Sequence, residues 1–429
     1  MGILEEMKAT ALRLDGQDPL GKFRERFVMP PGRIYMDGNS LGLPPKKSLE
    51  GVQRVMEEWK TLNIDGWLEG HIPWFTMPEE MGRKMAPLVG ALPGEVVMSG
   101  STTSNLHSLV STFYKPEGSR RKILADELNF PSDLYALASE VRLKGGDPAA
   151  DLVLARSRDG GTLDEEDIIS LMDETVSVAL LPSVLYRSGQ LLDMEKLARA
   201  AHEKGVAIGF DCAHSAGSVP HKLHDWGVDF AFWCSYKHLN GGPGSPAFLF
   251  LHERHFEREP GLAGWFGYVK NRQFDMALGF EHARSAGGWQ LGTPSVLSGA
   301  TLEAALQVQE EASIERIREK SLKLTDFLIE LVDGYLSVDP YGYSIATPRD
   351  HDRRGGHLAI EHPSEAWRIC CALKSRGIVP DFRPARVIRV APVALYNTFM
   401  EVWEVANALK EIIDNREYER FPKERSAVS

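Results

Sequence analysis

The sequence predicts an α/β fold: a mainly parallel mixed sheet with helices on both faces, plus a smaller C-terminal α/β domain. Three observations predict it. From about residue 80 to 295, short apolar runs alternate with amphipathic stretches of helical period. Most of these runs are apolar on both faces, as strands between two helical layers must be. Beyond a long helical stretch, the tail from about 334 to 420 again mixes strand-like and helical pieces.

Residues 1–50 read as a helix followed by a turn-rich loop, Met29-Pro-Pro-Gly32 and then Asp37-Gly-Asn-Ser-Leu-Gly-Leu-Pro44, which lacks apolar periodicity. The strand candidates are Val96–Met98, Lys122–Ala125, Val176–Leu181, Val206–Phe210, Phe230–Cys234 and Ala247–Leu251. Amphipathic stretches such as Asp133–Lys144, Asp164–Asp173 and Met194–Lys204 lie between them. Strand, helix, strand repeated this often implies parallel pairing with crossover helices. Residues 300–333 read as one long helix, with Leu324, Phe327, Leu328 and Leu331 on one face. The expected division is therefore 1–50 (helix and loop packing with the small domain), 51–300 (large domain) and 301–429 (linker helix and small domain).

Composition narrows the function classes. A chain of 429 residues with 43% hydrophobic and 25% charged residues is an ordinary globular protein with room for two cores. The net charge of −11 argues against nucleic acid as the main partner. Cys212, Cys234, Cys370 and Cys371 form no CxxC pair and read as buried reduced thiols, which fits a reducing cytoplasm. No apolar run reaches the roughly 18 residues of a membrane span. The first residues carry no signal-peptide pattern, and Glu6 spoils a myristoylation match. His107, His224 and His357 belong to no HxxxH or HExxH pair, so no metal site is expected.

The chemistry concentrates at two strand ends. Lys237 closes the apolar run Asp229-Phe-Ala-Phe-Trp-Cys-Ser-Tyr-Lys237, just before Gly241-Gly-Pro-Gly244. Lysines are rarely buried without a purpose. Asp211 closes the run Val206-Ala-Ile-Gly-Phe-Asp211, with His214 three residues on. A lysine and an aspartate delivered by neighbouring strand ends is the pair that pyridoxal 5′-phosphate (PLP) requires: an amine for the Schiff base and a carboxylate for the pyridinium nitrogen. Ser99-Gly-Ser-Thr-Thr-Ser-Asn-Leu-His107 is a small polar turn opening a helix, suited to an anion or to simple capping. Neither glycine-rich turn has the Gly-Lys-Ser/Thr of a nucleotide P-loop. Phe130, in Asn129-Phe-Pro-Ser-Asp133, is either a core residue or a face for a planar ring. His214 either fills the core or supports Asp211 or the cofactor's ring oxygen. Among Arg383, Arg386 and Arg389, only Arg389 sits inside an apolar strand, where a fork aimed inward suits an α-carboxylate.

These residues resemble a known family. Phe130-Pro-Ser-Asp133, Asp211-Cys-Ala-His214, His224-Asp-Trp-Gly-Val-Asp-Phe-Ala231, Trp233-Cys-Ser-Tyr-Lys-His-Leu-Asn240, Gly264-Trp-Phe-Gly267, Ile388-Arg-Val-Ala-Pro-Val-Ala-Leu-Tyr-Asn397 and Gly38-Asn-Ser-Leu-Gly-Leu43 all look like kynureninase, from about residue 35 to 410. The resemblance implies a PLP enzyme of fold type I, the aspartate-aminotransferase-like fold, acting as a homodimer in the cytoplasm. It implies hydrolytic cleavage of L-kynurenine to anthranilate and L-alanine, in the kynurenine pathway of tryptophan catabolism and NAD biosynthesis. By resemblance Lys237, Asp211 and Tyr236 are catalytic, and Thr102, Thr103 and Tyr236 lie on the phosphate side. Phe130 stacks on the ring, with Ser132, Asp133 and His214 close by, and Ser183 is a further cofactor candidate. Trp265 and Thr293 reach across the dimer interface. Arg389, Ser40 and His71 face the substrate. Some relatives carry Asn at the place of Thr293, which favours the unhydroxylated ring over 3-hydroxykynurenine here; many carry Leu at the place of Thr102. Rival readings are a cysteine desulfurase or small-amino-acid transaminase of the same fold, and a non-catalytic scaffold that keeps the fold.

Overall fold

The computed structural model describes residues 3–424. A seven-stranded sheet forms its centre. In chain order the strands are β1 (Val96–Ser99), β2 (Lys122–Asp126), β3 (Leu152–Ala155), β4 (Val176–Pro182), β5 (Ala207–Asp211), β6 (Phe230–Trp233) and β7 (Ala247–Leu251). They lie in the order β1-β7-β6-β5-β4-β2-β3. All neighbours pair in parallel except at β7, which runs antiparallel to both β6 and β1. The longer helices used below are α1 (Ile3–Gly16), α2 (Lys46–Leu62), α3 (Thr102–Phe113), α4 (Pro131–Leu143), α5 (Met194–Glu203), α6 (Leu302–Ala312), α7 (Ile314–Leu331), α8 (Ala366–Ser375) and α9 (Phe399–Asp414).

Burial on both faces explains why the strands do not alternate in polarity. β4 is buried from end to end. Its Val178 and Leu180 join Leu106 and Leu109 of α3 and Leu137 of α4 in one apolar layer. Its Ala179 and Leu181 join Leu197 and Ala201 of α5 in the other. Gly209 interrupts the apolar run of β5 because a Cβ there would lie 2.0 Å from the Phe230 ring. The edge strand β3 was not foreseen: it is four residues long, only part-buried, and pairs on one side alone.

The predicted single helix over 300–333 is two helices. The chain breaks at Ser313 (φ 66°) between α6 and α7. The cause is packing. Leu302 and Leu306 of α6 belong to the core of the large domain, whereas Leu324, Phe327, Leu328 and Leu331 of α7 belong to the C-terminal core. One straight helix could not aim both stripes at both cores.

The C-terminal lobe holds a second, antiparallel sheet of β8 (Ser344–Ile345), β9 (Leu358–Glu361), β10 (Asp381–Arg383) and β11 (Val387–Val390), in the order β10-β11-β9-β8. The N-terminal segment is stitched to this lobe. The Asp15 carboxylate accepts the N–H groups of Phe399 (2.7 Å) and Met400 (3.0 Å), which caps α9. Asp18 meets Lys320 of α7 at 2.6 Å, both side chains buried. The chain then runs on to the large domain, where the Gly42 N–H donates to the Tyr236 carbonyl at 2.7 Å. Among the described residues no helix is long and apolar enough to cross a membrane.

Candidate active site

A cavity of about 380 Å³ opens at the carboxyl ends of the parallel strands, between the sheet and the C-terminal lobe. This is where an open α/β sheet leaves room for a ligand. It is lined by Ser40, Thr102, Thr103, Phe130, Ser132, Asp133, Asp211, His214, Tyr236, Lys237 and Arg389, all of them residues singled out in the sequence.

Lys237 follows β6 through a tight turn closed by Asn240, which donates its N–H to the Lys237 carbonyl at 3.0 Å from a left-handed conformation (φ 59°). The N-terminal loop presses on this turn: a Cβ on Gly42 would lie 2.4 Å from the Lys237 carbonyl oxygen. Lys237 Nζ lies 3.0 Å from His214 Nε2. Burial, and then the charge of Lys237, push the His214 imidazole well below its ordinary range. It is therefore neutral, and Nε2 accepts from the Lys237 amine. His214 Nδ1 is buried without a partner.

Asp211 ends β5, and its Oδ1 accepts the Ala213 N–H at 2.8 Å. The Asp133 carboxyl from the start of α4 lies against it. Burial raises both groups, and the charge of Asp211 raises Asp133 further, whereas Lys237 favours the ionised form of each. The arrangement that satisfies these forces has the proton on Asp133, donated to an Asp211 carboxylate.

On the far wall Ser101 caps α3, and Thr103 Oγ1 meets Ser132 Oγ at 2.8 Å. Thr102 and Thr103 of the first turn of α3 line the cavity, preceded by Gly100 (φ 46°), where a Cβ would lie 2.4 Å from Ser104 Oγ. Phe130 is 42% exposed, with its ring set edge-to-face on Tyr186 at 5.3 Å. Burial pushes the Tyr236 hydroxyl above its ordinary range, so it stays protonated. Ser183 is buried behind the cavity, its hydroxyl donating to the Asp211 carbonyl at 3.0 Å.

Arg389 is 1% exposed and enters from β11 opposite Asp381 of β10. Its Nε donates to Asp381 Oδ1 at 2.7 Å and its NH1 to the Tyr186 carbonyl at 2.7 Å. Its NH2 reaches Ser40 Oγ at 2.9 Å and Asp381 Oδ2.

Besides Ser183, three expected site residues lie outside this cavity. His71 Nε2 meets Glu303 at 3.3 Å on the surface. Trp265 is 43% exposed. Thr293 lines a separate surface groove with Trp59, Ile64, Trp67 and Leu297. The lining residues to which the sequence reading gave no site role include Asn39, Tyr186 and Arg383. Asn39 is fully buried, with neither amide atom paired; its place in the Gly38–Leu43 motif was the available signal. Sequence spacing also missed a convergence of Glu95, His224 and His252, whose ligand-type atoms lie within 4.8 Å of one another. Those atoms already bond to protein: Glu95 Oε1 to His224 and to the Glu253 N–H, His252 Nδ1 to the Arg254 N–H.

The site fits PLP: an unpaired buried His214 Nδ1, a buried carboxylate pair, an uncovered aromatic face, a helix start in the cavity lining for a phosphate, and a lysine. Fold and site together define a PLP-dependent enzyme of fold type I. The fold is shared with a cysteine desulfurase from Thermococcus onnurineus NA1 (TM-score 0.78, 20% identity, 93% of this chain and 98% of that one). It is shared also with a C-DES variant carrying glycine covalently linked to its PLP cofactor (TM-score 0.77, 16% identity, 90% and 98% covered). Sequence narrows the class. Kynureninase of Geobacillus thermodenitrificans (strain NG80-2) is 52% identical over 426 residues, covering 99% of both chains. That of Shouchella clausii (strain KSM-K16) is 53% identical over 422 residues, covering 98% of both. A family model for the kynureninase C-terminal domain matches residues 317–409. The chain belongs to the kynureninase family, PLP-dependent hydrolases acting on a carbon–carbon bond.

Proposed function

We propose that this cavity cleaves L-kynurenine to anthranilate and L-alanine, with Lys237, Asp211 and Tyr236 as its catalytic residues. The observation that carries the reading is the convergence of Lys237 with the Asp211–Asp133 pair in one cavity whose opposite wall holds Arg389 and Ser40.

When bound, PLP supplies an electron sink for charge developing on the substrate's α- and β-carbons. The protein supplies the rest. Lys237 anchors the cofactor and then moves the proton at Cα. Neutral His214 holds the amine in place by accepting its hydrogen bond. Asp211, with the proton of Asp133 behind it, holds positive charge at the pyridine nitrogen. The start of α3, with Thr102 and Thr103, receives the phosphate, and Phe130 with Ser132 fixes the plane of the ring. Tyr236, kept protonated by burial, gives a proton at the side-chain carbonyl as water adds. Arg389 and Ser40 would hold one end of the substrate and so orient it for cleavage.

The desulfurase alternative needs a mobile nucleophilic cysteine. Here Cys212, Cys234 and Cys370 are buried, Cys371 lies on α8, and all four thiols are raised by burial. A homodimer in the cytoplasm is the assembly proposed. The exposed apolar side chains Phe274, edge-on to Trp265, and the nearby-in-sequence Met276 and Leu278 support a second copy covering this face. That copy receives Trp265 and Thr293 at its own cavity, and with His71 they set the preference for the unhydroxylated ring. The test is incubation with L-kynurenine, reading anthranilate fluorescence against sulfide release from cysteine. Sulfide without anthranilate rejects the proposed reaction.

A further inference from the structure

A buried imidazole that the proposed reaction leaves idle stands behind His214. His357 comes from the C-terminal lobe, as the residue before β9, and is fully buried. It is not part of the cavity lining. Burial and the charge of Arg389 push it well below the ordinary imidazole range, so it is neutral, with one N–H and one lone pair to offer. Neither ring nitrogen has a partner in the protein.

The bond to Lys237 sets a requirement that His357 can meet. His214 Nε2 accepts from the amine at 3.0 Å, so the His214 proton sits on Nδ1. That N–H is buried, and a buried donor without an acceptor is costly. Left alone, the ring gains by moving its proton to Nε2, which then points an N–H at the lone pair of the amine. The His357 ring lies 5.6 Å from the His214 ring, centroid to centroid, at an angle of 57°. Packing holds it there: a Cβ on Gly189 (φ 75°) would lie 2.6 Å from the His357 carbonyl oxygen and 3.3 Å from its Nε2. A small rotation of either ring closes an N–H···N bond.

We infer that His357 is a positioning residue for Lys237: its lone pair accepts the His214 Nδ1–H, which keeps Nε2 an acceptor and leaves the lone pair of the amine free for the proton at Cα. The inference rests on the reading of Lys237 as the group that moves that proton. It adds a residue that touches neither substrate nor cofactor and that reaches the amine from the opposite lobe.

The test compares wild-type, His357→Leu and His357→Gln holoenzymes with two readouts. The first is exchange of the Cα proton of L-alanine in deuterated water, which isolates the Lys237 step from carbon–carbon cleavage. His357→Leu should slow exchange at saturating L-alanine by roughly tenfold to a hundredfold, while the half-saturating concentration moves by less than about threefold. His357→Gln keeps an acceptor oxygen and should recover most of the rate. The second readout is nitrogen NMR of protein labelled at the histidine rings, with His214 assigned by the signal lost in His214→Gln. The His214 proton should sit on Nδ1 in wild type and His357→Gln and on Nε2 in His357→Leu. Equal losses of exchange in His357→Leu and His357→Gln overturn the inference, because they report a general disturbance. So does a His357→Leu protein unchanged in both readouts, the pattern expected if the cofactor's ring oxygen holds His214 instead. If His357→Leu does not fold, His357→Met is read in the same way. The nitrogen spectra need no substrate, and they decide alone if wild type exchanges no alanine proton. A wild type that exchanges that proton yet releases no anthranilate from L-kynurenine leaves the role of His357 standing and removes the proposed reaction.

Discussion

Replacing Asp126 with asparagine should make the protein's stability less sensitive to pH. Asp126 is fully buried at the end of β2. Its Oδ1 accepts the Leu128 N–H at 2.9 Å, which shapes the turn that presents Phe130, while Oδ2 has no partner. Burial raises this carboxyl to about 7, against ~4 in an unfolded chain. A raised acid binds more protons folded than unfolded across that window. Stability therefore falls as pH climbs from ~4 toward 7 and levels off above it. Integrated from pH 5 to pH 8, the wild type loses ~3 kcal/mol through this one group. Asparagine keeps an oxygen for the turn and has no proton to lose. The stability of Asp126→Asn relative to wild type should thus rise by ~3 kcal/mol between pH 5 and pH 8, read from urea denaturation of both holoenzymes at each pH. Any fixed cost of the amide cancels in that difference. A relative stability unchanged between the two pH values would refute the argument from burial.

Lys237→Ala should abolish anthranilate formation and the visible absorbance of the holoenzyme; a yellow, active variant would remove the central assignment. Trp265→Ala and Leu278→Asp bear on the second copy. Both leave the cavity of their own chain intact, so sedimentation should show Leu278→Asp shifted toward a single copy with lower turnover, while Trp265→Ala lowers turnover without changing mass. A wild type that sediments as one chain at assay concentration and is fully active would end that reading.

The strands of the large sheet were legible because burial on both faces leaves uninterrupted apolar runs. Lys237 and Asp211 were legible because each ends such a run with a charge. The break at Ser313 was not. No proline or glycine marks it; it follows from the placement of two cores that lie far apart in sequence. The pairing at β10 and β11 was hidden for a related reason. Sequence sets Arg389 in an apolar strand and Arg383 six residues before it, but only the register, with Asp381 opposite Arg389, reveals that one carboxylate holds both guanidinium groups. Asn39 looked like one more turn former until its amide was seen buried and unpaired.

The bond between Asp15 and the first turn of α9 makes the C-terminal lobe discontinuous in the chain. During synthesis the opening helix emerges hundreds of residues before the one it must cap. It has to wait while the entire cofactor-binding domain is made. A fragment beginning at Ile314 would carry most of the lobe's apolar residues yet lack Met7, Ala11 and Met36, which complete its core. Supplying residues 3–36, which add Met36 and the Ile34–Tyr35 pairing to Ile378–Val379, as a separate peptide should restore its order.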